Sequence, residues 1–152
     1  MLRERLNEML PTALKAREGR RVSTVRLILA AIKDRDIAAR GEGNADGVGD
    51  DEILAILQKM VKQRRESIVH YQEGGRLELA EQEEEEIGII QEFLPEPIGG
   101  EEMAAAVEAA VGEAGATGLK DMGRTMGLLK ERYAGRMDFA EAAGQVKRLL
   151  GG

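Results

Sequence analysis

The feature of this sequence that most restricts its fold is the spacing of its apolar residues, which recur every three or four positions along nearly the whole chain. That spacing matches the 3.6-residue turn of an α-helix and places apolar side chains on one face. No long run alternates polar and apolar residues, and the chain has only two Phe, two Tyr and no Trp as aromatic strand formers. The sequence therefore predicts an all-α fold.

Four helices are predicted in the first part of the chain. The first is expected from about Leu2 to Glu18, and Pro11 should kink or split it because proline removes a backbone hydrogen bond. The second should begin near Arg20 or Ser23. The third is expected over about 51–73 and the fourth over 76–94.

Two segments rich in glycine or proline should interrupt these helices. Residues 41–50, GEGNADGVGD, are predicted to form a mobile acidic linker whose last residue, Asp50, caps the next helix. FLPEPIGG holds two prolines and two glycines in eight residues, so a domain boundary is expected at 95–100. This predicts an N-terminal helical domain over 1–96 and a C-terminal three-helix domain over 97–152, with helices near 101–114, 119–133 and 138–150.

Composition favours a cytoplasmic protein. The chain has no cysteine, so it can form neither a disulfide nor a thiolate metal site, and no stretch is apolar enough to span a membrane. The net charge of -6 is unevenly distributed. Residues 1–40 hold ten Lys and Arg against five Asp and Glu, whereas residues 41–98 hold five against fifteen. The basic zone could bind an anionic partner or dock on the chain's own acidic helix.

Residues for catalysis are scarce. His70 is the only histidine and Ser23 and Ser67 are the only serines. Ser67 lies three residues before His70 on one helix, but a triad also needs an orienting acid and an oxyanion hole. The run Glu83 to Glu86 should spread around a helix as a solvated face instead of converging on a cation. Phosphate-loop and dinucleotide glycine patterns do not occur. We therefore expect no catalytic, cofactor or metal site.

The most specific segment is DMGRTMGLLKERYAGRMDF, residues 121–139. Gly123 and Gly127 are four residues apart with Met126 beside them, so within a helix they would allow close approach of another chain, at about 1 kcal/mol of helix propensity each. The favoured interpretation is tight packing inside the three-helix domain. The other is a contact surface with nearby cations that bind nucleic acid: Lys120, Arg124, Lys130, Arg132 and Arg136.

The pattern D-M-G-R-x-M-G followed by G-R-M-D resembles the YqeY family, relatives of the C-terminal portion of the GatB subunit of tRNA-dependent amidotransferases. The resemblance extends over nearly the whole chain. It includes LRERLNEML, RRVSTVRLILAAIKD, VKQRRES and the EFLPEP segment. The sequence departs from the family pattern at two positions. The family usually has a β-branched aliphatic residue at the position of Thr125 and a small residue at the position of Met137.

The resemblance implies a link to glutamine-dependent amidation of aminoacyl-tRNA, for which the family label is carbon-nitrogen ligase. The catalytic parts of that enzyme lie outside the portion that this chain resembles. The resemblance thus implies a module that binds tRNA or aminoacyl-tRNA, working with an amidotransferase or an aminoacyl-tRNA synthetase. Its matched cations are Lys120, Arg124 and Arg136.

Two alternatives remain beside this interpretation. One is a helical adaptor that binds a protein partner and no nucleic acid. The other is an amidotransferase component with residual activity. The acidic net charge argues against strong nonspecific binding to nucleic acid, because counterion release needs several clustered cations.

Overall fold

The structure is a computed structural model that describes residues 2–151. In this range the secondary structure is seven α-helices and one short 3-10 helix, with no strand, so the all-α prediction is confirmed. The α-helices are α1 Leu2–Lys15, α2 Gly19–Gly41, α3 Asp50–Glu73, α4 Leu77–Gln91, α5 Gly100–Glu113, α6 Met122–Tyr133 and α7 Phe139–Gly151, and the 3-10 helix is Leu119–Asp121.

Pro11 does not divide the first helix. α1 continues through it, so the expected split is wrong. Leu6 before the proline and Ala13 after it are both fully buried. Packing of both halves of α1 on the helices beneath offsets the backbone hydrogen bond that proline removes.

The chain folds into two compact units, one ending at Pro95 and the other beginning at Glu96. Each has its own apolar core. That of the first unit is built from α1 to α4, and its fully buried side chains include Leu6, Ile28, Ile32, Ile53, Leu57 and Ile90. That of the second includes Val107, Ala110, Leu129, Met137, Ala142 and Val146. That the two units are independently folding domains over 1–96 and 97–152 stays a prediction.

The end of the predicted linker is anchored to the first unit. The Arg3 guanidinium pairs with Asp36, with Nη1 2.8 Å from Oδ2, and the Val48 N–H donates to Asp36 Oδ1 at 2.9 Å. Val48 is buried in the first core. The end of the predicted linker thus packs on the first unit, and the mobility of residues 41–50 stays a prediction. Asp50 is the first residue of α3, Gly49 takes the cap position, and the Asp50 carboxylate accepts a hydrogen bond from the Leu2 N–H.

Asp36 should make folding sensitive to acid. Its hydrogen bonds from Arg3 and Val48 favour the carboxylate and lower the pKa of Asp36 from 3.8 to about 2. A group whose pKa falls on folding stabilises the fold above its unfolded pKa and loses that contribution as the pH drops toward the folded value. We expect Asp36→Asn to lower stability at pH 7 and to reduce the loss of stability between pH 4 and pH 2. Urea unfolding at several pH values measures both effects, and an unchanged pH profile would contradict the assignment.

The acidic run on α4 is only partly a solvated face. Glu84 and Glu85 are exposed, but Glu86 is buried, and its Oε2 lies 2.9 Å from Arg64 Nε on α3. Glu83 is partly buried and lies 3.9 Å from the same nitrogen. Burial raises the pKa of Glu83, the neighbouring Glu86 charge raises it further, and Arg64 lowers it. The solvated-face interpretation is therefore wrong for two of the four residues, which join α3 to α4.

Candidate nucleic-acid or partner interface

The Asp121 carboxylate organises the start of α6. Its Oδ2 accepts hydrogen bonds from the backbone N–H groups of Thr117 and Gly118, at 3.0 and 3.3 Å. The bond from Thr117, together with that from Gly118, lowers the pKa of Asp121. The buried Thr125 hydroxyl donates to the Asp121 carbonyl at 3.0 Å, so the polar group that replaces an aliphatic side chain there has a partner. The 3-10 helix that carries Lys120 is thereby fixed to α6, which carries Arg124 and Lys130.

Gly123 and Gly127 lie on the outer side of α6. Both are exposed, and a Cβ atom added at either position would meet no atom within 4 Å beyond its chain neighbours and the backbone of its own helix. Met126 is buried in the core of the second unit, as is Met137. The interpretation that the glycines pack tightly inside the three-helix unit is therefore wrong. Met126 holds α6 to the core while the two glycines leave its backbone open to solvent.

Three of the five predicted cations are available on or beside this face. Lys120 and Lys130 are exposed, and in the part of the chain that the structure describes neither has an ion pair within 4 Å. Arg124 Nη2 lies 2.9 Å from Asp121 Oδ1, yet the arginine side chain remains 60% exposed. Arg124 and Lys130 lie on the two flanks of the glycines, because each residue advances 100° around the helix. We call these three cations and two glycines the α6 face.

The other two predicted cations bind within their own unit. Arg132 forms an ion pair with Glu113 of α5. Arg136 Nε donates to the Glu96 carbonyl at 2.9 Å, its guanidinium lies 5.9 Å from the centre of the Tyr133 ring, and its carbonyl accepts from Ile98. These contacts join the helices and loops of the second unit, so both arginines are less available to an anion than the α6 face.

Lys147 is a further cation that sequence reasoning missed. It is exposed on α7, one helical turn before Gly151. A Cβ atom at Gly151 would lie 3.5 Å from Leu119, next to Lys120 in the chain. Lys147 therefore lies on the side of α7 that reaches the 3-10 helix. Only the packing of α7 on that helix indicates this, and no sequence motif does.

The residues considered for catalysis make local hydrogen bonds. The Ser67 hydroxyl donates to the Gln63 carbonyl at 3.1 Å, and the Ser23 hydroxyl donates to the Arg20 carbonyl at 3.0 Å. His70 is exposed near the end of α3. Residues 2–151 contain no group of three or more acidic or histidine side chains arranged to hold a metal ion.

Within the same described range, none of the helices combines the length and the apolar character needed to cross a bilayer.

The fold and the α6 face define an all-helical protein of two units whose second unit exposes a glycine-containing helix flanked by cations. The chain belongs to the family of Yqey-like proteins, whose model matches residues 3–150. It is 32% identical over 107 residues to altered inheritance of mitochondria protein 41, mitochondrial, of Lachancea thermotolerans, an alignment that covers 70% of this chain and 54% of that protein.

Two further relatives also align with part of this chain. The protein with the same name from Eremothecium gossypii is 32% identical over 110 residues, covering 71% of this chain and 58% of the relative. An uncharacterized protein of Schizosaccharomyces pombe is 29% identical over 91 residues, covering 60% of this chain and 70% of the relative. This chain thus spans little more than half the length of the Lachancea thermotolerans and Eremothecium gossypii relatives.

Proposed function

We propose that this protein is an accessory module that binds tRNA or aminoacyl-tRNA through the α6 face and has no catalytic centre of its own. The observation that carries the proposal is the open backbone at Gly123 and Gly127. Each exposed glycine in a helix costs about 1 kcal/mol relative to alanine, and here no packing inside the unit compensates that cost. Close approach of a ligand to the α6 backbone supplies a reason for both glycines.

The cations indicate the chemistry of that ligand. Lys120, Arg124 and Lys130 flank the bare backbone and extend into solvent. Phosphate groups are bound by lysine, arginine and backbone N–H groups, and such contacts position a nucleic acid without reading its bases. The resemblance to the GatB tail supports tRNA as the particular nucleic acid. An amidotransferase or an aminoacyl-tRNA synthetase is the protein partner that this role needs.

A helical adaptor that binds only protein is the second candidate. Leu119 is 51% exposed beside Lys120, and an apolar side chain next to an open helix backbone also suits a partner helix. For both candidate functions we propose a cytoplasmic location, because the chain has no cysteine. The name of the Lachancea thermotolerans relative refers to mitochondria, and this reference applies to that protein and not to this chain.

Alanine at both glycines should separate stability from binding. We expect Gly123→Ala with Gly127→Ala to raise the free energy of unfolding by about 1–2 kcal/mol, because helix propensity improves and the added methyl groups meet no neighbour. The same methyl groups should weaken tRNA binding by about tenfold if the nucleic-acid backbone approaches this closely. Thermal melting and tRNA titration at two salt concentrations measure the two effects.

Gly112→Ala is the matched control, since Gly112 is an exposed glycine of α5 that also has open space around it. It should gain stability and bind tRNA as the wild type does. A double alanine variant with full tRNA affinity would reject close approach at α6. No tRNA binding by the wild type at low salt would favour the protein adaptor.

The isolated chain should not hydrolyse glutamine or amidate Glu-tRNA. Both serine hydroxyls donate to carbonyls of their own helices, so neither is activated by His70. Ammonia release from glutamine and amide formation on charged tRNA are the measurements. Turnover above a blank without protein that is lost in His70→Ala or Ser67→Ala would overturn this expectation.

A further inference from the structure

One ion pair shows which sides of α1 and α2 face each other in the first unit. The Arg3 guanidinium of α1 pairs with Asp36 of α2. Residues seven positions apart lie on nearly the same side of a helix, so Val22 and Leu29 also face α1. Val22 is buried and Leu29 is partly buried, as this placement requires. We call Val22, Leu29 and Asp36 the contact strip of α2.

A row of cations runs beside the contact strip. Each residue of the strip is followed four positions later by a cation: Arg26, Lys33 and Arg40. Four residues turn a helix by about 40° beyond a full circle, so the three cations share one flank of α2, just outside its contact with α1. All three are exposed, and among residues 2–151 none has an ion pair within 4 Å. We call them the α2 cation row, which is about 21 Å long at about 1.5 Å per residue.

The groove between α1 and α2 is apolar. Leu10 and Leu14 lie seven and eleven residues after Arg3, on the side of α1 that faces α2. Leu10 is partly buried, and Leu14 is 49% exposed. Ile37 of α2, between the last two cations of the row, is 55% exposed. We call these side chains and that of Leu29 the α1/α2 groove: Leu10, Leu14, Leu29 and Ile37.

The carboxylates of α2 do not neutralise its cation row. Arg40 lies one turn after Asp36 and is attracted to its carboxylate, but Arg3 already binds that carboxylate at 2.8 Å. Asp34 directly follows Lys33, so it lies about 100° further around α2, on the flank toward α4. The row therefore presents a net positive charge.

The charges of α1 lie away from the groove. Glu4 and Glu8 lie about 100° and about 140° around α1 from Arg3, which faces α2. Lys15 follows Glu8 by seven residues and shares its side of the helix. Asn7, about 40° from Arg3, is uncharged. The groove thus has a cationic edge on α2 and an uncharged edge on α1.

We propose that the α1/α2 groove binds an amphipathic helix of a partner protein, with carboxylates of that helix facing the α2 cation row. Cations spaced by seven residues match carboxylates with the same spacing on a helix that lies along α2. The apolar face of the same helix would cover Leu14 and Ile37. Phosphates of a nucleic acid would meet the cations but would leave these two apolar side chains without an apolar contact.

This contact is small. Ion pairs at an exposed edge contribute little individually, and the groove is shorter than a standard interface. We expect a salt-sensitive complex with a Kd on the order of 10–100 μM. The inference concerns the first unit and does not depend on tRNA binding by the α6 face.

Two synthetic peptides test the groove in the 152-residue chain. The acidic peptide has three heptads with Leu at positions a and d and Glu at positions e and g, and repulsion between its glutamates opposes self-association. The basic peptide has Lys at each Glu position. Fluorescence anisotropy of labelled peptide, with protein from about 1 to about 500 μM, brackets the expected Kd. The wild type should bind the acidic peptide at least about tenfold more tightly than the basic one.

Charge reversal should exchange this preference. Arg26→Glu with Lys33→Glu and Arg40→Glu should weaken binding of the acidic peptide at least about tenfold and strengthen binding of the basic one. Leu14→Ser with Ile37→Ser should weaken both peptides and leave the charge preference in place, because it removes only apolar cover. Circular dichroism checks that each variant is folded.

Lys59→Glu with Lys62→Glu and Arg65→Glu is the matched control, since these exposed cations of α3 carry the same change in net charge. The control should bind the acidic peptide like the wild type. Equal losses in the two triple variants overturn the proposal, and so does a wild type that binds neither peptide or both equally. A wild type that binds tRNA or anionic vesicles through the α2 cation row, but not the acidic peptide, assigns the row to nucleic acid or lipid instead.

Discussion

Arg64→Ala is expected to lower the free energy of unfolding by about 3 kcal/mol, because it leaves the buried Glu86 and the partly buried Glu83 without their cation. Arg64 Nη1 also donates to the Met60 carbonyl at 3.3 Å, so the side chain links its own helix to α4. Urea unfolding followed by circular dichroism measures the change at pH 7.

The pH dependence of the same variant identifies the cause. Without Arg64, which lowers it, the pKa of Glu83 should rise further above its ordinary value, because burial and the Glu86 charge still raise it. Protonation then favours the folded state, so the difference in stability from the wild type should shrink as the pH falls from 7 to 5. Arg64→Met combined with Glu86→Met removes both charges and should recover most of the loss. A constant difference at all pH values would assign the effect to lost packing instead.

Charge reversal on the α6 face is expected to weaken tRNA binding by on the order of a hundredfold at low salt. The variant is Lys120→Glu with Arg124→Glu and Lys130→Glu. All three side chains are exposed, so the melting temperature should change little. If each cation contacts one phosphate, the slope of log K against log salt should become shallower by about three units. Titrations of tRNA at several salt concentrations measure both quantities.

The control must match the change in net charge, because a more acidic protein repels RNA wherever the new charges lie. Lys59→Glu with Lys62→Glu and Arg65→Glu reverses three exposed cations of α3. It should lose far less affinity and keep the wild-type salt slope. Equal losses in the two triple variants would reject the α6 face as the binding site, and unchanged affinity in the first would leave a protein partner as the better assignment.

The helices could be predicted from the sequence because their apolar spacing is a local property, and every predicted helix is present. The effect of Pro11 on α1 and the position at which α4 ends were predicted less accurately. Pro11 has the local preference of a helix breaker, but burial of Leu6 and Ala13 on either side outweighs it. The predicted end of α4 was three residues late, because Leu94 packs on the core from a turn instead of from the helix.

The exposure and the partners of the candidate site residues could not be predicted from the sequence. Gly123 and Gly127 stand out in any helical pattern, yet only the placement of Met126 and Leu129 in the core shows that the glycines face outward. The partners of Arg132 and Arg136 are 19 and 40 residues away in the chain. Such pairs depend on tertiary packing, which local sequence patterns do not specify.

The contacts of Arg136 determine where this chain can be divided for separate study. Glu96 and Ile98 precede the first helix of the second unit, yet both are hydrogen-bonded to Arg136. A C-terminal fragment that starts at Gly100, where helix α5 begins, would lose both bonds and part of the apolar cover that Ile98 gives the core. A fragment meant for crystallisation, or for fusion to another protein, should therefore start no later than Glu96.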